Sequence, residues 1–237
     1  MVRKIEWWMA MTSSKRMVNY LRKRGVKIGN NVFFKNSKRI SIDLINPKLI
    51  EIGNNVFFNR DFTLLIHDAV NRVFREKYGV FLPNSFGKVK IGNNVSFARN
   101  VTVLKGVTIG DNVFVGHSSL VTKDIPSNCI VAGVPAKVIC SLDDYFERAK
   151  QKCIEETRSY CKDVLESTGK LPNERQLSSV SDLFVDGSNI DEYLGSLGAN
   201  KRKRAIKRMN GQFDLYKARH KAVYDGIEDM FVKMNLK

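Results

Sequence analysis

Apolar side chains recur at every sixth residue in two stretches of this chain. Ile91, Phe97, Val103, Ile109, Val115 and Val121 stand six apart, and four residues after each comes Val95, Val101, Val107, Val113, Ser119 and Ile125. An earlier block has the same spacing in Ile28, Phe34 and Ile40, then Ile52, Phe58 and Leu64, with Asn46 breaking the apolar position once while keeping the phase. Polar residues recur in register between them. Ile28-Gly29-Asn30-Asn31-Val32, Ile52-Gly53-Asn54-Asn55-Val56, Ile91-Gly92-Asn93-Asn94-Val95 and Ile109-Gly110-Asp111-Asn112-Val113 are four full copies of one unit. A period of six fits neither a helix nor a simple alternating strand. It predicts a hexapeptide β-solenoid, in which short strands meet at tight corners and Gly and Asn supply the corner backbone angles. One hexad cannot stand alone. Ordering six residues costs roughly 6–12 kcal/mol, and burying two side chains returns only about 3–6 kcal/mol. Stacked neighbours must supply the rest.

The phase fails once. Leu64 and Ile91 are 27 residues apart, which is not a multiple of six. Residues 69–88 contain Tyr78, Gly79, Pro83 and Gly87 among many charges and read as a loop extruded from one corner. Long loops inside compact domains are usually functional or disordered. This one begins directly after Ile66-His67-Asp68.

Outside the repeats the spacing is helical. Ser13 or Ser14 can cap a helix whose face is Met17, Tyr20 and Leu21 and which Gly25 stops. Its expected task is to cover the open first coil. Contact with anionic lipid is the alternative, since the helix is basic and Trp7 and Trp8 stand nearby. Beyond residue 140 the six-residue period is lost. Leu142, Tyr145, Phe146 and Ala149 are helix-spaced, as are Tyr216, Val223 and Ile227. Tyr145 and Phe146 arrive where a last coil needs a cover. The chain thus divides into an N-terminal helical cap (1–25), a repeat domain (26–140) with the loop 69–88, and a helical extension (141–237). The fold class is mostly β.

The 237 residues are 43% hydrophobic, enough for a sizeable core and incompatible with wholesale disorder. The most apolar window near the start, residues 5–11, is interrupted by Glu6 and is far shorter than the roughly 20 residues a bilayer needs. No secretory signal is read there. Cys129, Cys140, Cys153 and Cys161 form no CxxC pair and no metal-ligand spacing, so a reducing cytoplasm is expected, with peripheral association at the inner membrane face as a compatible location. Forty Lys and Arg against 24 Asp and Glu leave a net charge of +16, which favours an anionic partner. Residues 201–208 hold six of those cations. An anionic partner for this basic C-terminal region competes with the plainer reading of a solvated helix face. No aromatic-interleaved motif supports nucleic acid, which is not expected.

Three consecutive motifs then point to a family: Val107-Thr108-Ile109-Gly110-Asp111-Asn112-Val113, Leu120-Val121-Thr122-Lys123-Asp124-Ile125-Pro126, and Ala132-Gly133-Val134-Pro135-Ala136-Lys137-Val138-Ile139. They closely resemble the hexapeptide-repeat acyltransferases, nearest in pattern to the galactoside, maltose and polysaccharide O-acetyltransferases. The resemblance covers about residues 26–140. It implies a left-handed triangular parallel β-helix with three hexads to a turn, against the right-handed default for crossovers. It also implies a homotrimer with active sites between neighbouring subunits, and acetyl-CoA as cosubstrate with no metal.

The resemblance assigns roles residue by residue. Members carry a catalytic histidine before a long loop and an IGxNV hexad, and His67 matches that place. Asp68 would orient the imidazole or bind the acceptor. Ala98, Arg99, Gly116 and His117 match a corner that lies along the pantetheine arm of coenzyme A, with Arg99 and His117 one eighteen-residue turn apart. Thr122, Lys123 and Lys137 match the TKDxP and GxPAK motifs near the cofactor's nucleotide end, where lysine serves phosphate as a compact point charge. Two departures bear on the acceptor pocket: Ser96 stands where relatives often have Trp, and Arg99 replaces a small residue. The chemistry fits the histidine. Acyl transfer needs an acceptor with its proton removed, and imidazole is the side chain whose unperturbed pKa lies nearest working pH. The implied reaction is O-acetylation of a sugar or saccharide-precursor hydroxyl by direct attack. N-acetylation of an amino sugar is the alternative. A metal enzyme resembling the γ-carbonic anhydrases needs about three histidine ligands, and the coils hold only His67 and His117. A nonenzymatic scaffold using the basic extension is the remaining reading.

Overall fold

The computed structural model describes residues 2–208 and 212–237. The chain forms two compact units, Met1–Glu147 and Arg148–Lys237. The first opens with two helices, α1 (Val2–Ala10) and α2 (Ser14–Lys23). Three short strands then make each coil. The first coil is β1 (Lys27–Ile28), β2 (Phe33–Phe34) and β3 (Ile40–Ile42). The second is β4 (Ile50–Ile52), β5 (Phe57–Phe58) and β6 (Phe62–Leu64). An excursion carrying α3 (Asn71–Tyr78) intervenes. The third coil is β7 (Val89–Ile91), β8 (Val95–Phe97) and β9 (Thr102–Val103), and the fourth is β10 (Thr108–Ile109), β11 (Val113–Val115) and β12 (Leu120–Val121). The last strands are β13 (Cys129–Ala132) and β14 (Lys137–Ser141).

Each coil gives one strand to each of three parallel sheets, ordered β1-β4-β7-β10, β2-β5-β8-β11-β13-β14 and β3-β6-β9-β12. This is a three-sided parallel β-helix, consistent with the left-handed form expected. The residues six apart are the ones that stack. Ile52 pairs with Ile28 and Ile91, Phe97 with Phe58 and Val115, and Val103 with Leu64 and Val121. All of these except Ile28 are buried. Three phenyl rings run through the core as a stack, Phe34 to Phe58 at 4.7 Å and Phe58 to Phe97 at 5.1 Å. Only the third coil repeats at eighteen residues, from Ile91 to Ile109. In the first coil the short 3₁₀ turns Ser37–Arg39 and Pro47–Leu49 add length. Asn46 sits at the start of the second of these turns and is exposed, so there the coil widens and the phase survives.

The corners explain the paired asparagines. Asn31, Asn55, Asn94, Asn112 and Asn128 all adopt left-handed backbone, with φ of 54–60°. Asn tolerates this conformation better than other residues with a Cβ. Their amides link coils in two runs, Asn31 Nδ2 to Asn55 Oδ1 (3.1 Å), and Asn94 Nδ2 to Asn112 Oδ1 (2.9 Å) followed by Asn112 Nδ2 to Asn128 Oδ1 (2.8 Å). The residue before each also links coils: the backbone N–H of Asn54 donates to Asn93 Oδ1 (2.9 Å), and that of Asn93 to Asp111 Oδ1 (2.6 Å). Glycine precedes these pairs because the coils touch there. A Cβ on Gly53 would lie 2.6 Å from the carbonyl oxygen of Gly92.

The helix expected before the coils is α2. Ser13 Oγ accepts from the backbone N–H of Arg16, and Ser14 Oγ accepts from that of Phe34 (2.9 Å). Met17, Val18, Tyr20 and Leu21 are buried in the same cluster as the coils. α1 was not expected. Its Trp7 meets Tyr20 edge-on at 5.5 Å, and Ala10 is buried.

Two expectations are corrected. Helix accounts for 40% of the chain, so "mostly β" describes only the repeats; solenoid strands are two or three residues long, and corners take up the rest. Tyr145 and Phe146 do not cover the last coil, being 48% and 62% exposed. The chain instead turns back as β14, which pairs antiparallel with β13 and ends that sheet. The rings follow at once in the first turn of α4 (Leu142–Thr168) and face solvent.

The second unit contains the rest of α4, then α5 (Ile190–Ser196), α6 (Ala199–Arg208), α7 (Phe213–Arg219) and α8 (Ile227–Lys233). Its core includes Cys161, Leu177, Leu183, Leu194, Met230 and Phe231. The basic run 201–208 lies in α6. The side chains of Lys201, Arg204, Lys207 and Arg208 lie outside the described residues. Among the described residues no helix is long and apolar enough to cross a membrane.

Candidate active site

The corner that follows the β3-β6-β9-β12 sheet gathers ionisable side chains from successive coils. Asp43 comes directly after β3, His67 three residues after β6, Lys105 two after β9 and Lys123 two after β12. The register Leu64–Val103–Val121 makes the Lys105 and Lys123 positions equivalent in neighbouring coils.

His67 Nδ1 is hydrogen-bonded to Asp43 Oδ2. The Asp43 side chain is 7% exposed and that of His67 25%. Asp43 also accepts the backbone N–H of Ile66 (3.2 Å) and of Ile45 (3.1 Å). Burial works to raise the Asp43 carboxyl, but the bonds from His67 and the two backbone groups outweigh it and hold the group below its ordinary range. A carboxylate can only accept. In the neutral imidazole Nδ1 therefore carries the proton, which leaves Nε2 as the accepting nitrogen.

His67 stands in the stem of the excursion. It forms an antiparallel bridge with Phe86, flanked by Gly87 N–H to Ile66 carbonyl (3.0 Å) and Asp68 N–H to Ser85 carbonyl (3.3 Å). Lys105 clamps both sides of this stem, with Nζ 2.5 Å from Asp68 Oδ2 and 2.5 Å from Ser85 Oγ. The hydrogen bond from Lys105 holds the Asp68 carboxyl below its usual value. Gly87 lets the stem lie against the next coil, since a Cβ there would fall 2.5 Å from Gly106 N. The excursion beyond is not all loop: α3 occupies residues 71–78 and ends on Gly79 in left-handed conformation. Val73, Tyr78 and Phe81 are well exposed.

The remaining expected residues fall in two places. Thr122 and Lys123 share the corner of His67. Ala98, Arg99, Gly116 and His117 belong to the next corner of the coil, after β8 and β11. There Ala98 N–H donates to Val115 and Gly116 N–H to Val131 (2.7 Å). Arg99 and His117 occupy equivalent positions of successive coils and are exposed. Gly116 is required by packing, because a Cβ would meet that of Ala132 at 2.8 Å. Lys137 pairs with Ala132 across β13 and β14 at the edge of the same sheet. Within one chain the two groups stand at different corners, separated by the β3-β6-β9-β12 sheet. Asp68 is engaged by Lys105, and the partner of the imidazole is Asp43.

Sequence reasoning missed Asp43 and Lys105. Asp43 had a signal, being the one acid between residues 26 and 50 and lying next to the inward Ile42. Lys105 is legible only once Val103 and Val121 are stacked. Among the described residues no group of three or more His, Cys, Asp or Glu could hold a metal ion. A cleft of about 540 Å³ in the helical unit, lined by Glu174, Arg175 and residues 196–200, contains none of the expected site residues.

Comparison with known proteins matches this architecture. The family signature described as "Bacterial transferase hexapeptide (six repeats)" matches residues 88–123. The chain is 52% identical over 56 residues to the galactoside O-acetyltransferase of Escherichia coli (strain K12), covering 24% of this chain and 28% of that protein. It is 42% identical over 125 residues to Protein CapG of Staphylococcus aureus, covering 53% of this chain and 71% of that protein. Among solved structures, a maltose O-acetyltransferase from Clostridium difficile 630 is similar at 25% identity and a TM-score of 0.41, over 58% of this chain and 83% of that chain. The stacked hexads, the signature over the third and fourth coils and the CapG match establish that the chain belongs to the hexapeptide-repeat acetyltransferase family.

Proposed function

We propose that the protein transfers an acetyl group from acetyl-CoA to a hydroxyl of a sugar or saccharide precursor, with His67 as general base. The observation that carries the reading is the His67–Asp43 pair at the mouth of the excursion. Asp43 fixes the tautomer, so Nε2 can take the acceptor proton as the acceptor oxygen attacks the thioester carbonyl. The departing thiolate recovers that proton from the imidazolium, and atoms and charge balance without a metal or a cysteine nucleophile. The exposed Arg99, His117, Lys123 and Lys137 suit the phosphates and arm of coenzyme A. Two corners of one chain hold the two halves of this set, which favours a homotrimer in which neighbouring subunits complete each site. An O-acetyltransferase and an N-acetyltransferase both stand among the similar proteins; we put the hydroxyl ahead because the motif pattern is nearest the O-acetyltransferases, and we place the reaction in the cytoplasm.

The test is thiol release from acetyl-CoA over a panel of sugars, nucleotide sugars and amino sugars, with wild type and His67→Ala. Turnover on the best acceptor should fall by roughly 10²–10⁴ in the variant while acetyl-CoA affinity stays near wild type. An unchanged rate constant in a folded variant overturns the role of His67. Turnover with amines alone replaces the hydroxyl acceptor.

A further inference from the structure

We propose that the N-terminal end of the coiled unit docks on an anionic phospholipid surface. α1 is amphipathic in an unusual sense. Trp7 and Ala10 turn inward, while Ile5, Trp8 and Met9 form a stripe at helical spacing that is 54%, 70% and 55% exposed. Covering the first coil does not require these three, because α2 already buries Met17, Val18, Tyr20 and Leu21 for that purpose.

Charge around the stripe is segregated. Residues 5–48 are less than a fifth of the chain, yet hold ten Lys and Arg against two acids, half of the whole surplus of +16. Both acids are engaged within the fold, Glu6 by Lys23 (2.6 Å) and Asp43 by His67. Lys15, Arg16, Lys35 and Lys38 are exposed and form no ion pair among the described residues. Two residues beyond Met9 the chain enters a cleft of about 240 Å³ whose walls include Thr12, Ser13, Lys35 and Lys38 and no acidic residue. An apolar stripe with an indole, followed within two residues by a hydroxyl-lined basic cleft, matches a bilayer interface in both layers: acyl boundary for Trp8, headgroup phosphate for the lysines. The same face of a second copy would bring a like surplus of positive charge and be repelled here.

The experiment is co-sedimentation of the full chain with vesicles of phosphatidylcholine, with and without phosphatidylglycerol. Binding should appear only with phosphatidylglycerol and weaken at least tenfold between low and high salt. Trp8→Ser should weaken it about 10- to 100-fold, and Ile5→Ser should weaken it less. Phe81→Ser, at an equally exposed ring on the excursion, should leave it unchanged. With Trp7→Phe, Trp8 is the one indole left, and its emission should shift blue on phosphatidylglycerol vesicles. Free inorganic phosphate at millimolar concentration should not displace the protein from vesicles; displacement by it would mean a phosphate site without membrane docking. The proposal is overturned by equal binding to both vesicle types, by Trp8→Ser binding like wild type, or by Trp8→Ser dissociating an oligomer in sedimentation velocity. Acetyl transfer plays no part in any readout, so the proposal stands or falls separately from the enzymatic reading.

Discussion

In residues 1–147 a side chain's surroundings follow from its place in the coil. In residues 148–237 they follow from which helix happens to meet which. Val95, Val101, Val107 and Val113 are all 2% exposed or less because each fills the same inward position. Nothing in the helical unit repeats in this way; Leu177, lying outside any α-helix, is as fully buried as Met230 in α8. Translation along a solenoid makes every ordinary position predictable, so a residue with a special task shows as a departure from the repeat. The excursion that begins after Asp68 is such a departure. A helical cluster offers no reference from which to depart.

If the two units are separate structures, core deletions should act on one at a time. Phe58 stacks on Phe34 and Phe97 and meets Phe62 edge-on at 4.6 Å. Phe58→Ala should cost about 3–5 kcal/mol and lower the coiled unit's transition alone. Leu177→Ala should cost about 2–5 kcal/mol and lower the transition of the helical unit, whose core shares no residue with the first. Calorimetry beside coenzyme A binding separates them; a single transition that shifts in both variants breaks the comparison.

The next largest effect sharpens it. Asp43→Asn preserves shape but can present an amide N–H to the imidazole and so reverse the tautomer. We expect kcat to fall about 100-fold with acetyl-CoA affinity unchanged. A loss in KM alone would make Asp43 a packing residue of the coil.

Lys105→Met should act more gently, lowering kcat/KM about tenfold, and it carries a pH signature. Lys105 holds the Asp68 carboxyl low, so this pair stabilises the fold above the ordinary carboxylate pKa near 4 and loses that contribution as pH falls below it. Without the lysine, an unneutralised carboxylate stands beside the imidazole and favours its protonated form. The acid limb of the kcat/KM profile should therefore move to higher pH. An unshifted limb would reduce Lys105 to a tether of the stem.

The smallest effect is expected from the largest deletion. A chain ending at Glu147 keeps β14, the strand that ends its sheet, and loses only the second core. Its melting temperature should stay within about 2–4 °C of the coiled unit's own transition. Aggregation of this product would show that the helical unit shields the coils. Cutting inside β14, near Cys140, should aggregate in either case, because it strips hydrogen bonds from β13.

Much of this was legible in the sequence, for one reason. Period six, with the three hexads to a turn that the resemblance implies, ties identity to position, so the stacked pairs Ile91-Ile109 and Val103-Val121 could be written before any coordinates, whereas the pairings across the excursion, Ile52-Ile91 and Leu64-Val103, could not. The 3₁₀ turns of the first coil could not, because their residues satisfy the same phase while widening the coil. His67 was visible because it stands just before the extruded loop, at the place where the resemblance puts a catalytic histidine. Its partner was not, because the contact runs between coils 24 residues apart, where spacing alone ranks many candidates equally. Tyr145 and Phe146 misled for a related reason: helical spacing identifies a face but not what, if anything, lies against it.

The excursion has an evolutionary arithmetic of its own. The coil-to-coil contact of Asn93 with Asp111 spans 18 residues, and that of Asn54 with Asn93, where the excursion intervenes, spans 39. Loop closure depends only on the logarithm of length, so the longer span costs about 0.7 kcal/mol more than the shorter. Across the gap Asn54 still donates its backbone N–H and its Nδ2 to Asn93 Oδ1 (2.9 and 3.0 Å). A lineage can therefore lengthen, shorten or replace the segment between Asp68 and Ser85 with little thermodynamic consequence, while the stem keeps the imidazole where it is. The length of the excursion and the stability of the coils are thereby set by different parts of the chain, and one can drift without the other.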